Sequence, residues 1–238
     1  MKGLLIIFLL FQTLLFAENF STSNVQFLYG NHFNNIPGDT INDDAMQTIT
    51  FEHFGTWDYG NNFFFIDLTQ ANFNSGSTQH AYMEWTPALQ LSKLTSTPIK
   101  YGIIKDVRIA AQLNQGENFK ALMGGLGVEL EVSSFNFITL DAYLRKDNFN
   151  KLNYQTTLVW KADYQLGSRW TFEGFLDWYG VDDGTIIISQ PRLLLDGSFL
   201  KPALKNIQIG VELYIYAQLN SANDFSEVTP QLMIKWIW

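Results

Sequence analysis

From Phe135 to Trp238 the chain alternates apolar and polar side chains in runs that are long for a soluble sheet. In FNFITLDAYLRK, Ile138, Leu140, Ala142 and Leu144 fall on one side, and Thr139, Asp141, Tyr143 and Arg145 on the other. Successive residues of a strand point to opposite faces, so such a run has an apolar face and a charged face. The scheme repeats in YQTTLVWKADYQ, WTFEGFLDWY, NIQIGVELYIYAQL and QLMIKWIW. Turn-forming stretches such as LRKDNFNKLN, QLGSR, GVDDGT, LDGSFLKPALKN and QLNSANDFSE separate the runs, supplying the backbone angles that reversals need.

Further strands are expected near Asn24–Gly30, Thr48–Trp57, Asn62–Thr69, Ala81–Leu91, Val107–Asn114, Lys120–Glu131 and Ile186–Leu195, giving about twelve. The acidic stretch NNIPGDTINDD is expected to be a surface loop, and STPIKYG either a loop or the start of a strand.

Two all-β architectures accommodate such strands. A soluble sandwich buries the apolar faces inside, whereas a membrane barrel turns them outward to lipid around a polar lumen. Strand length favours the barrel: the runs are about 9–12 residues, enough for a tilted strand to cross a bilayer, against about 5–6 in soluble sheets. Aromatic placement favours it too. Tyr154 and Tyr164, and Trp170 and Trp178, sit at the ends of apolar faces, as girdle residues do at membrane interfaces. Aromatics make up 16% of the chain, yet the mean hydropathy is only -0.03, so apolar residues are diluted by polar neighbours throughout. The charges on the polar faces suit a watery lumen and a sandwich exterior equally.

The opening MKGLLIIFLLFQTLLFA has one Lys, an apolar run and a small residue at Ala17, the pattern of a cleaved secretory signal peptide over residues 1–17. Residues 18–238 then form one exported domain in the cell outer membrane, with the lipid bilayer as its surroundings. The closing strand ends on an aromatic, Trp238, in phase with Trp236 and Ile234, the form of a C-terminal signal read by outer-membrane assembly machinery. A net charge of -8 argues against a nucleic-acid polymer as partner. The chain has no Cys, hence no disulfide framework or thiolate metal site, and no P-loop or dinucleotide fingerprint; no cofactor or metal is expected.

Four stretches in order, FEHFGTWDYGNNFFFIDL (Phe51–Leu68), YMEWTPALQLSKLT (Tyr82–Thr95), LGVELE (Leu126–Glu131) and WTFEGFLDWYG (Trp170–Gly180), resemble the Tsx/OmpK family of nucleoside-specific outer-membrane channels. The resemblance implies a monomeric twelve-stranded barrel with a narrow pore that passes nucleosides, in some members also a phage receptor.

A nucleoside offers a flat face that stacks on aromatic rings, and edges rich in hydrogen-bond donors and acceptors. Its slot should therefore combine aromatic and ionisable side chains at inward parity. The candidates are Glu52, Phe63, Phe65, Asp67, Tyr82, Glu84, Arg108, Asp141, Tyr143, Arg145, Glu173, Phe175, Asp177, Tyr179, Tyr214 and Tyr216. The triple Phe leaves parity open, since Phe64 inward would send Phe63 and Phe65 to lipid. Trp57 suits a girdle better than a stacking plate.

Inward charges also form ligand-free plugs in small barrels, so a plugged barrel acting through its loops as an adhesin or phage receptor stays open. A hydrolase at the rim needs a nucleophile beside a base. His32, His53 and His80 lie next to no obvious nucleophile in sequence, and no G-x-S-x-G elbow exists, so no enzyme is expected.

Overall fold

A computed structural model describes residues 19–238; the signal peptide read in residues 1–17 lies outside them. The described chain is almost entirely strand: β1 (Phe20–Ile36), β2 (Asp39–Trp57), β3 (Gly60–Gln70), β4 (Gln79–Gln90), β5 (Ile104–Gly116), β6 (Lys120–Leu130), β7 (Phe137–Asp147), β8 (Asn153–Leu166), β9 (Ser168–Gly180), β10 (Thr185–Ser189), β11 (Arg192–Asp196), β12 (Ile207–Leu219) and β13 (Phe225–Ile237). Each pairs antiparallel with its neighbours, and β1 pairs with β13, so the sheet closes on itself.

β10 and β11 are two halves of one stave, because both pair with β9 on one side and β12 on the other. Pro191, which has no N–H to give, interrupts them. The ladder survives the gap: Gln190 N–H donates to the Phe175 carbonyl at 3.1 Å, and Leu213 N–H donates to the Pro191 carbonyl at 2.9 Å. The barrel therefore has twelve staves, as the alternation suggests.

Closure removes the exposed edges that a flat sheet of this size would present. The seam is tied at one end by Trp238 N–H to the Ser23 carbonyl at 2.9 Å and Ser23 N–H to the Trp238 carbonyl at 3.0 Å. We call this the terminal end. The far end carries the turns at 37–38, 71–78, 117–119, 148–152, 181–184 and 220–224.

The distribution of polarity is inverted relative to a water-soluble sheet. Leu126, Leu144 and Leu232 are 62%, 66% and 67% exposed on the outer face, whereas Gln26, Gln155 and Glu212 are 0–1% exposed inside. Aromatic pairs border the apolar band at both ends. Tyr154 meets Trp178 edge-on at 6.1 Å near the far end, and Tyr164 lies opposite Trp170 near the terminal end. Rings with an apolar body and a polar tip settle where lipid meets water.

The stretch read as a surface loop, NNIPGDTINDD, is strand instead. β1 and β2 run on through it and reverse only at Pro37–Gly38, where Gly38 takes φ 86°. The extension is held by anchors that a loop reading overlooks: Phe33 and Ile41 are fully buried against Met46, Phe73, Tyr214 and Tyr216. STPIKYG is loop, following the short helix Leu91–Thr95 and joined to β5 by a bridge between Tyr101 and Ile104.

Candidate functional site

The site is the barrel interior, and strand register determines which side chains enter it. On β3, Phe65 lies opposite Glu52 of β2 and Glu84 of β4, and Asp67 lies opposite Thr50 and Tyr82. Phe64 lies opposite His53 and Trp85 on the outer face, so the triple Phe places Phe63 and Phe65 inside. Arg108, Asp141, Tyr143, Arg145, Glu173, Asp177, Tyr179, Tyr214 and Tyr216 are all buried at inward parity, and Phe175 lies among them on β9.

Ionised groups cross the middle of the interior. Arg192 of β11 pairs with Glu52 of β2 at 2.8 Å and with Glu212 of β12 at 2.6 Å. Lys235 of β13 bonds Glu173 of β9 and lies 3.8 Å from Glu52. Neighbouring amides satisfy the remaining lone pairs: Asn24 donates to Glu52 at 3.0 Å and Gln231 to Glu212 at 2.9 Å. Carboxylates this deep hold their charge only with such partners.

A second polar cluster lies along β4, β5 and β7–β9. Glu84 accepts from Tyr82 Oη at 2.5 Å, from Gln112 at 2.7 Å and from Asn114 at 2.8 Å. Asp67 accepts from Thr50 and Asp177 from Thr157. Arg145 donates to Gln155 at 2.6 Å, and its guanidinium lies 4.1 Å from the Tyr179 ring centroid and 5.6 Å from that of Phe119. Arg108 reaches Asp141 at 3.2 Å across Gly127, which stands between them in the ladder.

At the far end the β1–β2 hairpin folds over the mouth. A register shift between Gly30 and Phe33, with His32 at φ 68°, bends β1 and frees the backbone N–H groups beyond it. Glu227 of β13 takes two of them, accepting from Asn34 N–H at 2.8 Å and Asn35 N–H at 2.7 Å. Beneath, Phe33 meets Tyr214 edge-on at 5.4 Å, and Ile186, Ile188 and Phe225 pack against the same cluster.

Several interior residues escaped the sequence reading of the site. Arg192 follows the apolar run IIISQP, where no alternation announces a charge, although its even-numbered parity with Ile186 and Ile188 places it inside. Glu212, Glu227 and Lys235 lie at inward parity in their own runs, but parity alone does not tell which inward charges meet one another. Phe119 and Phe149 sit in far-end turns, beyond the reach of strand parity.

Of the histidines, His53 meets Ser23 Oγ at 2.9 Å on the outer face, yet it is 4% exposed, which leaves a substrate no approach. His80 lies at the far rim, 3.3 Å from both Asp39 and Glu117.

The fold is shared with known barrels. The KdgM porin superposes with a TM-score of 0.52 at 10% identity, covering 90% of this chain and 98% of that one. The structure described as "KdgM porin in complex with disordered oligogalacturonate" gives 0.51 at the same identity and coverage. The COG4313 outer membrane channel from Pseudomonas putida F1 gives 0.46 at 11% identity, covering 93% of this chain and 98% of that one. At these identities the KdgM likeness shows a common architecture. No curated protein matches the sequence. A family model described as "Domain of unknown function (DUF5020)" matches residues 22–238, and the chain belongs to that family. The likeness to nucleoside channels rests on the four sequence stretches quoted above.

Proposed function

We propose that this member of the DUF5020 family is a monomeric outer-membrane channel for passive diffusion of small uncharged solutes, nucleosides or compounds like them, through a narrow polar and aromatic lumen. The observation that carries the reading is the inversion of polarity: leucines cover the outside, and ion pairs, amides and carboxylates fill the inside. A closed barrel is one of only two backbone designs that satisfy every peptide group in lipid. In the same reading residues 1–17 direct export, and the closing strand, with Trp236 and Trp238 on its lipid face, is what the assembly machinery engages.

Geometry bears on the solute. Interior carboxylates favour hydroxyl donors and disfavour anions, and the partly accessible rings Phe63, Phe65 and Tyr82 offer stacking faces beside them. The residues proposed to line the path are Glu52, Phe63, Phe65, Asp67, Tyr82, Glu84, Arg108, Asp141, Tyr143, Arg145, Glu173, Asp177, Tyr179 and Tyr214.

The near-complete burial of Gln26, Gln155 and Glu212 favours a second reading, a plugged barrel that acts through its far-end loops. Single-channel recording on the purified protein in planar bilayers separates the two. A channel gives small discrete openings that adenosine or uridine blocks in proportion to concentration; a plug gives none.

A further inference from the structure

The interior is not sealed evenly. Around Arg192 and Lys235 the side chains interlock, but along β3, β4 and the two adjoining far-end turns a strip of aromatic rings keeps contact with solvent. Phe149, in the turn after β7, is 67% exposed at the rim. Its ring stacks on Phe119 at 6.3 Å with planes 10° apart, and Phe119 stacks on Tyr82 at 6.3 Å with planes 29° apart. Tyr82 meets Phe65 at 6.0 Å, and Phe65 meets Phe63 at 6.0 Å. Phe119, Tyr82, Phe65 and Phe63 are each partly exposed. The series thus descends from the open rim into the middle of the barrel with no ring missing.

Neighbouring groups suit a track. Arg145 lies against Phe119, so the second ring is held rather than loose. Glu84 and Asp67 stand beside Tyr82 and Phe65 and present acceptor oxygens toward the interior. A ring with an apolar face and hydroxyls on its edge can pass from one aromatic face to the next while its hydroxyls find acceptors. Steps of this size are shorter than a disaccharide or a nucleoside, so a solute engages the next ring before leaving the last. An acyclic polyol offers no flat face, and an anion meets the carboxylates unfavourably.

We infer that Phe149, Phe119, Tyr82, Phe65 and Phe63 form a stacking track that guides uncharged, hydroxyl-bearing ring solutes from the far-end rim into the lumen. The inference rests on the channel reading. Nucleosides and neutral sugars share this chemistry, and the experiment distinguishes them.

The test is solute-induced block of single-channel current, with uridine, maltose, glycerol and galacturonate as probes. The variants are Phe149→Ala, Phe119→Ala and Phe149→Tyr. Circular dichroism and the heat-dependent gel shift of the folded barrel confirm that each variant folds. Uridine, maltose or both should block the wild type at far lower concentration than glycerol or galacturonate. Each Ala variant should raise the blocking concentration about tenfold; Phe149→Tyr, which keeps a ring in place, should be blocked at the wild-type concentration. Whichever of uridine and maltose shows the larger loss identifies the ring chemistry. Equal block by the ring solutes in wild type and Ala variants overturns the track and leaves the channel standing. Absence of any conductance overturns both.

Discussion

Arg192 meets Glu52 at 2.8 Å although β12, β13 and β1 lie between their strands. The contact therefore crosses the interior rather than running along the wall. It makes one guanidinium the tie between two staves a third of the way round the ring from each other, with Glu212 on the adjoining strand at 2.6 Å. Two charges withdrawn from water are stabilising only while both are present, since either alone keeps its desolvation cost.

Removing one partner should accordingly hurt more than removing both. Arg192→Met alone leaves Glu52 and Glu212 facing each other, and should lower stability by about 3 kcal/mol. Adding Glu52→Gln should recover part of the loss, giving a coupling of about 1–3 kcal/mol in the double-mutant cycle. Urea unfolding in detergent micelles measures it. In bilayers, Arg192→Met should also raise conductance, because it withdraws the bulkiest group that crosses the lumen.

The direction of the two faces is tested on β6. Leu126 is exposed on the outer face near the middle of its strand. Arginine at the midplane of a barrel's lipid face costs about 2–4 kcal/mol. Leu126→Arg should therefore shift reversible folding into phospholipid vesicles by that amount. A shift below about 0.5 kcal/mol, typical of a water-facing surface change, means that this face does not meet lipid.

Gly127 separates Arg108 from Asp141, and a Cβ there would lie 1.8 Å from Asp141 Oδ1. Gly127→Ala must push the carboxylate aside and break a buried pair, for a loss of about 3 kcal/mol. In Asp141→Ala the carboxylate clash is gone and the Leu140 carbonyl, 2.9 Å from the added Cβ, is the remaining obstruction, so Gly127→Ala should then cost less. Additive effects of the two changes, read from the same unfolding curves, contradict this account.

Glu227 holds the hairpin over the mouth by accepting from Asn34 and Asn35 N–H. Glu227→Ala leaves both without that acceptor and should speed hydrogen exchange at these two amides by tenfold or more, as NMR in micelles will show. Amides in the middle of β6 should be unaffected. Conductance should rise or flicker as the cap loosens.

Much of this molecule can be read from alternation alone. In FNFITLDAYLRK, parity assigns Asp141, Tyr143 and Arg145 to the interior with no knowledge of neighbours, because an apolar outer face and a polar inner face impose the same two-residue period on every stave. What parity lacks is the third dimension. Nothing in the sequence tells that Arg192 faces Glu52, since that depends on closure and shear around the whole ring. Phe119 and Phe149 are invisible for another reason: turns have no period, so their stacking emerges only from where the strands deliver them. NNIPGDTINDD misleads because its polar residues look like loop, while Phe33 just before it and Ile41 within it, with a two-residue reversal at Pro37–Gly38, make a hairpin.

The balance of interior charge should appear in ion selectivity. Among the described residues, the buried carboxylates Glu52, Asp106, Asp141, Asp147, Glu173, Asp177, Asp196, Glu212 and Glu227 outnumber the buried bases Arg108, Arg145 and Lys235. Asp67 and Glu84 add to the acidic side and Arg192 to the basic one. A narrow lumen with low-dielectric walls concentrates such an excess, so potassium should pass more readily than chloride. Under a tenfold potassium chloride gradient the reversal potential should carry the sign of cation preference. Glu84→Gln and Asp67→Asn lie beside the accessible strip, where permeating ions pass, and should move it toward zero. Glu227→Gln, at the cap, should move it less. Anion preference in the wild type would mean that the carboxylates are masked from the path and that ions travel a different route through the barrel.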